Sequence, residues 1–232
     1  MATRASRPGF TRHFTDRLGP RLPPVLLASL GLLFGGLAVG VAMGGLLPLP
    51  YGPAAAVVGY VRAEPVAVQI VATAVFASSV PLAVYAAGVA ARLRALGAPG
   101  ASTTLALVSG ALASGALALT GLLGWTLSRA DVSADAALVR ALYYLAFLIG
   151  GPGHVVALGL LVAAIAVPGR RRSLLPGPLA WFGVLVAGTA ELTTLVLIWP
   201  AVGPLLPVAR VSALVWLLVA GALLPRMDLD PV

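Results

Sequence analysis

The stretch VLLASLGLLFGGLAVGVAMGGLLPL, residues Val25–Leu49, carries no charged side chain along its whole length. A surface helix of a soluble domain needs a polar face, whereas a helix crossing roughly 30 Å of hydrocarbon needs about 20 apolar residues and no such face. Arg4, Arg7, Arg12, Arg17 and Arg21 precede the stretch, followed by Pro23 and Pro24. The apolar run exceeds the ~7–15 residues of a signal-peptide core, and no small-residue cleavage site stands out. It reads as an uncleaved first helix behind a short cytoplasmic tail, residues 1–24.

Five more stretches have the same character: Pro65–Ala91, Thr103–Leu127, Leu142–Val167, Pro178–Trp199 and Leu205–Leu224. The fourth is interrupted by Gly150-Gly151-Pro152-Gly153, a break that neighbouring helices in a bundle can tolerate as a kink. The sixth places Pro207 and Arg210 in its first turns. Ala54–Val61 is apolar but too short to span, and fits an interfacial element. The fold class that follows is all-α, a polytopic transmembrane bundle of six helices. Residues 25–225 form the transmembrane domain and residues 226–232 a short tail.

Charge supports the same count. The fifteen basic residues are all arginine. Taken in turn across six spans, one side of the membrane receives Arg92, Arg94, Arg170, Arg171, Arg172, Arg226 and the five of the N-terminal tail. The other receives only Arg62, Arg129, Arg140 and Arg210. The positive-inside rule then places both termini in the cytoplasm. Losing one helix would destroy the alternation.

Composition narrows the chemistry. The chain has 232 residues, 60% hydrophobic and 9% charged, against roughly a quarter charged in soluble domains. No polar segment is long enough for a second core. A net charge of +8 can signal nucleic acid, but these arginines sit at the ends of apolar runs, so the partner they imply is the lipid bilayer. Arginine without lysine, among abundant Ala, Gly, Leu and Val, fits a high-GC bacterial genome and hence a bacterial inner or plasma membrane. With no cysteine, disulfides, zinc–thiolate sites, iron–sulfur clusters and cysteine nucleophiles are excluded. Only His13 and His154 are present, too few for a three-histidine metal site. No cofactor is implied.

Lipid tails are as apolar as leucine, so close backbone packing must hold the helices together. Gly36, Gly40 and Gly44 line one face of the first helix, with Gly31 and Gly35 offset. The third helix repeats the pattern with Gly110 and Ser114, Ala111 and Gly115, then Gly121 and Gly124. Helix packing within the chain accounts for this, and a homodimer or another membrane protein seated on the first helix would use the same surface. Trp125, Trp181 and Trp199 fall near helix ends, where amphipathic rings favour the interface. Trp216 lies deeper.

Ionisable groups at membrane depth face a partner or a cavity. Glu191 lies about eight residues from the end of the fifth span, ~12 Å deep. It has two readings: an ion pair with Arg210 that fixes the last hairpin, or a substrate or proton site. His154 follows the Gly-Pro break and either bonds a carbonyl freed by Pro152 or contacts Glu191 in a relay. By depth, Gln69, Tyr143, Tyr144, Arg140, Glu191 and Arg210 share one half of the membrane, and if they converge they form a polar pocket open to the outside. The ligand-binding candidates are therefore Glu191, His154, Arg210, Gln69, Tyr143 and Tyr144. Ser and Thr hydroxyls are expected to bond their own helices. Hydrolase, phosphate-loop, zinc-protease and dinucleotide motifs are absent. A Ser–His pair from Ser78 or Ser79 with His154 is the one nucleophilic arrangement conceivable.

Leu142-Tyr143-Tyr144, Gly150-Gly151-Pro152-Gly153-His154, the run from Leu175 to Gly183 and Val215-Trp216-Leu217-Leu218 together resemble a large group of uncharacterised bacterial six-helix membrane proteins. In that group a leucine-proline, leucine-alanine-tryptophan element opens the fifth helix. The resemblance implies the six-helix architecture and carries no active site. The functions left open are binding or movement of a small apolar or amphipathic molecule, a non-catalytic subunit packed on another membrane protein, and, third, a membrane-embedded enzyme.

Overall fold

A computed structural model describes residues 21–225. The tail arginines Arg4 to Arg17, His13 and Arg226 lie outside the described residues, as do most of the two expected tails. Nine α-helices are present among the described residues, without strands. They are α1 (Leu22–Gly44), α2 (Ala54–Ala63), α3 (Pro65–Ala95), α4 (Gly100–Leu127), α5 (Ala130–Ser133), α6 (Ala136–Leu148), α7 (His154–Arg171), α8 (Gly177–Leu192) and α9 (Leu205–Leu223). A π-helical segment, Ile149–Gly153, joins α6 to α7 into one long span, and a 3-10 segment, Thr193–Leu197, prolongs α8. Six spans are long and apolar enough to cross a membrane. The chain is a multi-pass membrane protein.

The fourth span starts earlier than Leu142. The Asp135 side chain accepts from the N–H groups of Ala137 (2.8 Å) and Leu138 (3.1 Å), so an N-cap begins α6 at Ala136. The fifth span was expected as one continuous helix to Trp199, but α8 stops at Leu192. Thr193 Oγ1 donates to Ala190 O at 2.6 Å, a side-chain bond that competes with the ladder, and the chain then tightens into 3-10 turns before Pro200.

The centre is α7, whose Val155, Leu158, Leu161, Val162 and Ile165 are fully enclosed. Around it, α4 packs against α3 and α7, α8 against α7 and α9, and α1 against α3 and α9. Small residues set the close approaches. A side chain on Gly36 or Gly40 would collide with Ala74 or Val71 of α3. The glycine groove of α1 is thus filled by α3 of the same chain, leaving Gly31 and Gly35 as its glycines facing open space. Hydrogen bonds add specificity: Ser29 Oγ donates to Ser78 O (2.8 Å), and Tyr85 OH to Leu217 O (2.5 Å). Interhelical bonds in membranes contribute about 0.6 kcal/mol on average and up to ~1.7. Tyr85→Phe is expected to lower the unfolding free energy in micelles by about 1 kcal/mol, read by denaturant titration.

Ala54–Ala63 is a short helix at one end of the bundle, packed by Val57, Val58 and Val61 against Leu127 and Val139. Arg62 anchors it by donating to Ser133 O and Ala134 O, both at 2.7 Å. Trp125, Trp181 and Trp199 are exposed, whereas Trp216 is buried and donates from Nε1 to Leu179 O at 2.9 Å.

Candidate functional site

The polar residues grouped by depth bond to different partners. Gln69 Oε1 accepts from Arg129 (3.1 Å), whose guanidinium also lies 4.4 Å from the Trp125 ring centre. Tyr143 OH donates to Pro48 O at 2.7 Å, tying α6 to the turn after α1. Tyr144 OH accepts from Arg140 at 3.0 Å, and its ring lies 6.1 Å from that of Tyr51. These three candidates are occupied in structural bonds at the end of the bundle that carries α2. None of their bonds reaches Glu191, His154 or Arg210.

His154 and Arg210 do come together, at the break. Pro152 has no N–H, and Gly151 has non-helical backbone angles. The N–H of His154 would close an α-helical bond on Gly150; it is directed instead to Ile149 and Gly151. That leaves the Gly150 carbonyl to a side chain, and the Arg210 guanidinium, from the second turn of α9, donates to it. His154 is fully buried, with Nδ1 2.9 Å from Ala113 O of α4. The carbonyl it bonds therefore belongs to a neighbouring helix, not to the break. Ser78 and Ser79 bond Val75 O and Phe76 O within α3, so neither pairs with His154. The other intramembrane hydroxyls mostly follow the same rule, Ser114 to Gly110 O and Thr120 to Ala116 O among them.

Glu191 forms no ion pair with Arg210, which is committed to Gly150. Its Oε1 is buried without a hydrogen-bond partner. The last turn of α8 presses against α7 where Gly159 offers no side chain, and a Cβ there would lie 3.2 Å from Glu191 Oε1. The tighter constraint at 159 is Ala190, whose Cβ would lie 2.6 Å from the added carbon.

A groove of about 670 Å³ opens along the flank of the bundle, and its lining reaches Thr194 but does not include Glu191. Gly115 and Leu119 of α4 form one wall. The break, at Ile149 and Pro152, continues into α7 as Val156 and Leu160 to form the other. Thr194 and Leu197 close the end. Thr194 follows Glu191 by one turn and is the one hydroxyl in the lining. Leu112, Leu119 and Leu197 are exposed rather than packed, so the groove communicates with the lipid. It lies at mid-helix on α4. A Cβ on Gly115 would meet nothing within 4 Å, which measures the empty space directly. The volume lies in the range of small-molecule sites, roughly 300–1,000 Å³.

The groove was not visible in the sequence because its lining is ordinary apolar helix. Two signals bordered it: the small residues Ala111 and Gly115, spaced one turn apart, and the Gly-Pro break. π-helical bulges recur at functional sites. Fold and site together define a six-span helical membrane protein with a lipid-accessible intramembrane groove. No family model, curated protein or solved structure matches the chain.

Proposed function

We propose that the protein binds a small amphipathic molecule drawn from the bilayer, with its hydrocarbon portion in the α4–α7 groove and its polar end at Glu191 and Thr194. The observation that carries this is an apolar, laterally open groove whose end is lined by Thr194, one turn from Glu191, whose Oε1 is buried without a partner. A hydrogen-bond donor on the ligand, hydroxyl or ammonium, satisfies that oxygen, and a buried acceptor left unpaired is costly. We place the protein in a bacterial plasma membrane with both termini in the cytoplasm. Supporting this, Arg92, Arg94, Arg170, Arg171 and Arg172 lie at one end of the bundle, with Arg170 4.1 Å from the Trp181 ring centre.

Native mass spectrometry of protein released gently from its own membrane tests the proposal. One reproducible added mass is expected on the wild type and none on Gly115→Leu, whose new side chain fills the groove. A spread of masses matching the bulk membrane lipids, unchanged by Gly115→Leu, would show ordinary surrounding lipid and refute the proposal. Glu191→Gln separates a ligand carboxylate from a packing one. With no ion pair to break, its unfolding free energy is expected to stay within about 0.5 kcal/mol of wild type, while retention of the added mass falls.

A further inference from the structure

Two buried polar atoms at the break have no partner: His154 Nε2 and Arg210 Nε. They are of opposite kind. Ala113 O, a carbonyl, only accepts, so His154 must donate from Nδ1; in that tautomer Nε2 is an acceptor. Arg210 Nε–H is a donor. The two side chains meet the same turn of backbone, since the Arg210 guanidinium sits on the carbonyl of Gly150, one helical turn before His154. Thr120 adds polarity, for a Cβ on Gly150 would lie 2.6 Å from its Oγ1. His154 has no exposed surface at all.

Leaving a donor and an acceptor both unpaired in the interior of a membrane protein is strongly unfavourable. One molecule that accepts from Nε–H and donates to Nε2 satisfies both at once, and water does this; an aprotic anion such as chloride or sulfate does not, because it has no proton to give. Buried waters typically make two to four such bonds. We propose that a single water molecule bridges Arg210 Nε and His154 Nε2. It completes a clasp that joins α4 through Ala113, the π-helical segment through Gly150, and α9 through Arg210. Ile149 and Pro152 of that segment line the groove. The clasp therefore holds the same segment that contributes to the groove wall. This inference does not depend on what the groove holds.

His154 is one of only two histidines, so ¹⁵N-histidine labelling of the His13→Ala protein in lipid bilayers gives a single ring to observe by solid-state NMR. The result expected is a protonated Nδ1, an unprotonated Nε2 shifted by an accepted hydrogen bond, and magnetisation transfer from water to the ring. That transfer should fall several-fold in Arg210→Met. A proton on Nε2 would overturn the proposal. So would a free Nε2 lone pair with no water transfer, or transfer that is unchanged in Arg210→Met. The His154 ring of the His13→Ala protein decides the matter even if the Arg210 variant does not fold.

Discussion

Gly121→Leu is expected to prise α3 from α4 and lower the unfolding free energy by about 2 kcal/mol or more, at the upper part of the range for overpacked cores. A Cβ on Gly121 would lie 2.7 Å from Ala72 O, Phe76 N and Phe76 Cβ. Two of these atoms are backbone, so no rotamer change relieves the clash and the helices themselves must move. The α3–α4 interface is the most extensive in the bundle, and Gly124 packs on Ala72 one turn further along. Gly115→Leu, on the same helix, is the internal control. It meets empty space and should leave stability within about 0.5 kcal/mol of wild type. Denaturant titration of both variants in the same micelle reads the contrast.

Trp216→Ala is expected to cost about 3 kcal/mol, the lower end for a buried Trp truncated to Ala. The lower end applies because the unfolded helix remains in lipid, so much of the transfer contribution is absent and lost packing dominates. The ring of Trp216 fills a notch left by Gly183 of α8, where a Cβ would lie 2.6 Å from Cε2, and its Nε1–H bonds the Leu179 carbonyl. Truncation leaves a cavity lined by helix backbone that cannot collapse into it. Trp199→Ala, at an exposed position, should shift the same titration by no more than about 0.5 kcal/mol. Equal losses in both variants would mean that Trp216 is not the lock between α8 and α9.

The spans were legible in the sequence because membrane length and hydropathy leave few alternatives. Pro65 and Leu205 begin helices as expected, and the break at Gly150–Gly153 was visible as a break. Its form was not. Pro152 signals a missing N–H, but not that the freed Gly150 carbonyl is taken by Arg210, a residue far along the chain. The bonding of the candidate residues was hidden for the same kind of reason. Depth in the membrane follows from residue number, whereas rotation about each helix axis does not. Gln69, Tyr143 and Tyr144 share a depth with Glu191 but turn towards Arg129, Pro48 and Arg140. Glu191 and Arg210 share a hairpin yet face different neighbours. The groove was illegible because emptiness has no residue type; Gly115 marks it only once its surroundings are known.

The most direct test of the groove as a hydrocarbon site is photolabelling in bilayers with a fatty alcohol carrying a diazirine in its tail, followed by peptide mapping. The result expected is label concentrated in residues 111–119 and 149–160 and largely lost in Gly115→Leu. Label spread at equal density over the lipid-facing side chains of α1, such as Leu27 and Leu37, and indifferent to Gly115→Leu, would contradict it.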